Sequence, residues 1–136
     1  ASRVYGAAFG VAWNLREAHA YEAQACTLGW SSACEQVAER SAGADAIAGY
    51  RQACEARSPH ACLKLARAEQ AARLPAPLVA ASYRRACSLL AFDACDALLA
   101  SIARLDDEPP GVVNGFARWC AAGEARACTL VNGHPR

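Results

Sequence analysis

Methionine is absent from the 136 residues, and lysine is nearly so, Lys64 standing alone beside thirteen arginines. Aromatic residues make up only 7% of the chain. Fourteen basic against thirteen acidic side chains leave a formal net charge of +1, too little to build a field that draws in phosphates or an anionic membrane. Nucleic acid is therefore not an expected partner, and cations interleaved so sparsely with aromatics offer no stacking platform for single strands. No apolar run approaches the roughly 18 residues that read as a membrane-spanning helix. The chain opens at Ala1 with no basic stretch leading into an apolar one, as it would after removal of a signal peptide or after trimming of a longer chain. What remains abundant is alanine, at 35 positions, which suits closely approaching helices and is poor for strands. The composition predicts a single all-α domain over residues 1–136.

Cysteine carries the strongest signal. Cys26 and Cys34, Cys54 and Cys62, Cys87 and Cys95, and Cys120 and Cys128 form four pairs, each separated by eight positions. Pair starts lie 28, 33 and 33 residues apart, the length at which helix, turn and helix make one solenoid unit. Other columns move with them. Tyr50, Tyr83 and Phe116 sit four positions before the first cysteine of a pair, and Tyr21 five before Cys26. Val37, Leu65, Leu98 and Val131 follow the second cysteines by three, and Ala25, Ala53 and Ala86 precede first cysteines, with Trp119 breaking that column. Offsets of three and four mark one helical face, so these columns predict a buried seam between neighbouring units.

Each pair straddles a turn. Gly29 and Gly123 are suited to end a helix in the left-handed conformation; Ser32 with Glu35 reads as a capping box; Ser58 before Pro59, and Asp93, read as N-caps. The pattern predicts helices over 4–15, 17–28, 32–40, 44–56, 59–73, 77–90, 93–105, 110–122 and 124–131, with within-unit connections at 41–43, 74–77 and 106–111.

A cysteine near the end of one helix and another near the start of its antiparallel successor reach bonding distance when both face the same seam. The repeated spacing thus selects local disulfides, each closing a loop of about nine residues and contributing about 2.5 kcal/mol in the chain-entropy model. A metal site would need thiolates converging tetrahedrally, with no C-x-x-C element to help, and a redox site would need one thiol singled out for attack. Disulfides point to a secreted or periplasmic location.

The fragments YRQACEARSPHAC, YRRACSLLAFDAC, FARWCAAGEARAC and ACTLGWSSAC resemble the joins of disulfide-bridged Sel-one-like repeats in secreted bacterial cysteine-rich proteins, most strongly from Tyr21 to Val131, and about 1–30 resembles a partial or atypical leading repeat of that family. SAGAD, RLPAP and DDEPPG stand where that family has glycine-rich loops. The resemblance implies a right-handed alpha-alpha superhelix of about four two-helix units, a relative of the tetratricopeptide type. It also implies a protein- or peptide-binding adaptor or, alternatively, a binder of peptidoglycan fragments or beta-lactams with weak hydrolase activity.

No catalytic residue is assigned. His19, His60 and His134 belong to no visible triad or metal motif, and Asp106, Asp107 and Glu108 read as a solvated loop. No cofactor or metal is expected. Trp30, in a turn, is read first as packing that caps the solenoid and second as an interface residue, while Trp13 and Trp119 are assigned to the core. Arg84 and Arg85 are the other candidate interface residues, and the excess of arginine favours a partner with an acidic patch, since guanidinium forks grip carboxylates bidentately. Self-association through exposed solenoid ends is a further expectation.

Overall fold

The computed structural model describes residues 15–133, so the expected leading helix, Trp13 and His134 lie outside the described residues. Those residues form eight α-helices and a 3-10 turn, with no strand: α1 (Leu15–Thr27), α2 (Ser31–Arg40), α3 (Gly43–Glu55), α4 (Pro59–Ala71), α5 (Ala76–Ser88), α6 (Phe92–Leu99), the 3-10 turn (Leu105–Asp107), α7 (Pro110–Ala121) and α8 (Ala125–Val131). Each α-helix packs on its successor, and α5 also packs on α7. The result is an all-α protein with a repeating helical packing.

The cysteine joins share one backbone design. Three residues after each first cysteine the chain turns left-handed, at Gly29, Arg57, Leu90 and Gly123, with φ of 97°, 70°, 73° and 108°. The N–H of that residue donates to the cysteine carbonyl at 2.9 Å in all four joins. The next N–H, from Trp30, Ser58, Ala91 or Glu124, donates to the carbonyl just before the cysteine at 3.0 to 3.3 Å. These two bonds define the Schellman stop, which satisfies orphan carbonyls at the helix end. The residue that completes the stop is also the N-cap of the following helix, so one short turn reverses the chain and starts it again.

Caps differ from the sequence expectation in two joins. Ser58 accepts from the Ala61 N–H at 3.2 Å as predicted, and Glu124 accepts from the Arg126 N–H at 3.2 Å. The predicted Ser32 box does not form, because α2 begins one residue earlier behind Trp30, which has no cap acceptor. Asp93 likewise falls inside the first turn of α6 behind Ala91, where its charge still faces the positive helix end.

The seam columns are buried only in part: Val37, Tyr50 and Tyr83 are half-buried although their helices have neighbours on both sides. Ala53, Ala61, Ala86, Ala94 and Ala127 are fully buried beside the cystines, and Phe116, Leu65 and Leu98 fill the core around them. Tyr21 and Val131, in the terminal members of the described array, are instead exposed. The largest departure is α6, which stops at Leu99 rather than at 105. Ser101 places both its N–H and its hydroxyl on the Leu98 carbonyl at 2.9 Å, and the chain beyond leaves the helix to turn Ile102 and Leu105 into the core.

Candidate functional site

The four cystines are framework. Cys26 is joined to Cys34, Cys54 to Cys62, Cys87 to Cys95 and Cys120 to Cys128, with Cα separations of 4.5 to 4.8 Å. No cysteine is free, so no thiolate is left for nucleophilic or metal chemistry in the oxidised protein. Among the described residues no group of three His, Cys, Asp or Glu side chains is placed to hold a metal, and no helix is long and apolar enough to cross a membrane.

The candidate interface residues part company. Arg84 is engaged: its Nε donates to Glu108 Oε1 at 2.7 Å and its Nη2 to Oε2 at 3.4 Å, tying the α6–α7 connection to α5. The adjoining Glu108 carboxylate raises the pKa of the guanidinium above its ordinary value. Glu108 itself is therefore not a solvated loop residue, although Asp106 and Asp107 are exposed. Trp30 does not pack into the array; it is 67% exposed and, with Tyr21 and Gln36, borders a shallow depression of about 440 Å³. Trp119 is buried, 5.9 Å from the Phe116 ring and 5.5 Å beneath the Arg126 guanidinium. Arg85 is exposed, and its guanidinium has no hydrogen-bond or salt-bridge partner among the described residues.

Two polar arrangements had no single-residue signal in the sequence. On one face Glu35 accepts from the Ser58 hydroxyl at 3.0 Å and meets His60 Nδ1 at 2.9 Å. Hydroxyl, imidazole and carboxylate are all present, but the carboxylate stands between the other two and Ser58 is occupied as a helix cap, so His60 is not placed to activate that hydroxyl. The same face continues as Glu39 with Lys64, Arg67 with Asp93 at 4.0 Å and Asp96 with Arg126 at 2.9 Å. The cluster reads as part of this ion-pair ladder between α2, α4, α6 and α8.

The other arrangement is a groove of about 200 Å³ between α3 and α5, floored by α4. Leu65 and Glu69 line its floor, Arg51 and Glu55 its α3 wall, and Leu78 and Arg85 its α5 wall. Glu69 is only 1% exposed, yet it is satisfied: Ser82 donates to Oε1 at 2.5 Å and Arg51 Nη2 lies 3.4 Å from Oε2. A buried carboxylate needs such partners, because an unpaired one carries a large desolvation cost. Counted back from the first cysteine of a join, α5 and α7 differ at two positions that hold glycine in α7. Leu78 and Ser82 stand nine and five positions before Cys87, where α7 has Gly111 and Gly115 before Cys120. A Cβ on Gly115 would collide with the Cys87 carbonyl oxygen and lie 2.8 Å from its Sγ, and one on Gly111 would lie 2.7 Å from Ser88 Oγ. Glycine thus lets α7 close on α5, whereas the side chains of Leu78 and Ser82 accompany an α5 that is not closely packed on α3.

Comparison of the chain with models of known families, with characterised proteins and with solved structures finds no match.

Proposed function

We propose that this chain is a protein- or peptide-binding module that works outside the reducing cytoplasm, built as a right-handed superhelix of the Sel-one-like type. The observation that carries the reading is the fourfold repetition of one cystine-stapled join, with an open groove between α3 and α5 and an uncommitted arginine on its wall. Stapled repeats hold an extended surface in shape without a large core, which is the physical requirement of a scaffold that presents side chains to a partner.

The test is capture on the immobilised, oxidised full chain followed by titration of whatever is retained. A saturable protein or peptide ligand, lost when the cystines are reduced, is the expected result. Failure to find one across extracellular protein fractions would sink the assignment. Heat released on titrating muropeptides or beta-lactams into the same protein would replace it with recognition of cell-wall fragments.

A further inference from the structure

The fourth cystine differs from the other three in what surrounds it. Cys26, Cys34, Cys54, Cys62, Cys87 and Cys95 are all buried, whereas Cys120 and Cys128 are both partly exposed. The packing accounts for the difference. Cys87 is covered by α7, which approaches so closely that a Cβ on Gly115 would lie 2.8 Å from the Cys87 Sγ. Among the described residues no further helix follows α8 to lie over the last join in that way.

Access decides which cystine a thiol can attack. A thiolate must reach a sulfur to displace its partner, so a buried bond reacts only after the surrounding helices open, while a partly exposed one reacts in the folded protein. The element secured by the exposed bond is also weakly anchored. Helix α8 has seven residues, too few to hold a helix on its own, and α7 is the one helix on which it packs closely. Ala127 and Leu130 are its buried residues. Arg126 reaches Asp96 at 2.9 Å and lies 5.5 Å over the Trp119 ring, but both charged side chains are at least half exposed, where ion pairs contribute little.

We infer that the Cys120–Cys128 cystine is a thiol–disulfide exchange site, whose reduction by a dithiol frees α8 and bares the Trp119 side of α7 while the three buried cystines keep the rest of the array folded. One thiolate of the dithiol bonds to a cystine sulfur and expels the other as a thiolate; the second thiolate of the dithiol then displaces the protein sulfur from the mixed disulfide. The dithiol leaves as a disulfide, having given two electrons, and its two protons pass through solvent to Cys120 and Cys128. The inference stands independently of the binding-module reading.

Graded dithiothreitol applied to the native, oxidised full chain, followed by N-ethylmaleimide and mass spectrometry of the digest, tests the site. Label should reach Cys120 and Cys128 about tenfold faster than any other pair, and a species with that one pair reduced should accumulate. Hydrogen exchange run in the same dithiothreitol, without the label, reads the release: amides of α8 should lose protection while those of α3 to α6 keep theirs. The double variant Cys120→Ser, Cys128→Ser, with its other cystines oxidised, should show the same unprotected α8 before any dithiol is added, and no further change in α8 afterwards. Labelling of all four pairs at one rate, or of another pair first, would overturn the site. Reduction of Cys120–Cys128 with α8 still protected would overturn the release. If the double variant does not fold, the two experiments on the unaltered chain decide both parts by themselves.

Discussion

Leu90 and Arg57 occupy the turn position that glycine fills at Gly29 and Gly123, and they do so at φ of 73° and 70°. A left-handed conformation costs a residue with a Cβ about 1–2 kcal/mol, while glycine gives back about 0.5–1 kcal/mol through the freedom it has in the unfolded chain. Arg57→Gly, where the side chain is exposed, is accordingly expected to stabilise the oxidised protein by about 0.5 kcal/mol, read as a higher urea midpoint with no change in slope. Gly115 presents the opposite case. It lies in a helix, where alanine is ordinarily preferred, but a Cβ there would press on the backbone and Sγ of Cys87, neither of which has room to withdraw. Gly115→Ala should destabilise by about 3 kcal/mol, as overpacking of a fixed interface does, and the same unfolding curves measure it. Gly111→Ala should cost less, since it meets the movable hydroxyl of Ser88.

Between elements, α2 and α4 are linked on the ladder face by Glu39 and Lys64. The hydrogen bond from Lys64 lowers the Glu39 pKa below its ordinary 4.5, and the same bond raises that of Lys64 above 10.5. A depressed carboxyl contributes stability above its unfolded value that is lost as pH falls through its folded one. A raised ammonium contributes below its unfolded value and loses that contribution as pH climbs through its folded one. The pair is thus intact across the neutral range and fails at both extremes. Urea midpoints measured against pH should fall in acid below about 4.5 and in base above about 10.5, and Lys64→Gln should remove the alkaline limb and shrink the acid one. An unchanged profile in that variant would show the pair to be energetically idle, as many exposed pairs are. Glu124, held below its ordinary pKa by Arg126, adds to the acid limb at the cap of α8.

On the scale of the whole molecule, stability is shared between an alanine-rich interior and the cystines. Four closed loops of about nine residues contribute about 10 kcal/mol at most in the chain-entropy model, as much as the entire stability of many small domains. Reduction with excess phosphine should therefore abolish the cooperative thermal transition seen by circular dichroism. Persistence of that transition with eight alkylatable thiols would assign the stability to packing alone. An unreduced digest read by mass spectrometry should recover the four local crosslinks and none between distant units.

The recurrence of paired cysteines with aromatic and aliphatic columns made the all-α, repeating architecture legible without coordinates, because helical periodicity and a short reversing turn are local properties that neighbouring residues set. The cysteines that share an eight-residue spacing are the ones the structure joins. Helix ends were less legible: Leu90 and Arg57 carry no glycine to announce a left-handed stop, and the exit from α6 depends on Ile102 and Leu105 gaining burial that only the assembled core provides. The groove lay further out of reach. Leu78 and Ser82 could be aligned with Gly111 and Gly115 by counting back from the cysteines, but Gly49 fills the same place in α3 without drawing it onto α1, so that column does not set the spacing, and Glu69 meets Arg51 and Ser82 only once three helices are in place. Local periodicity determines which residues turn and which face inward; how far one helix stands from the next is decided by side chains meeting across the fold.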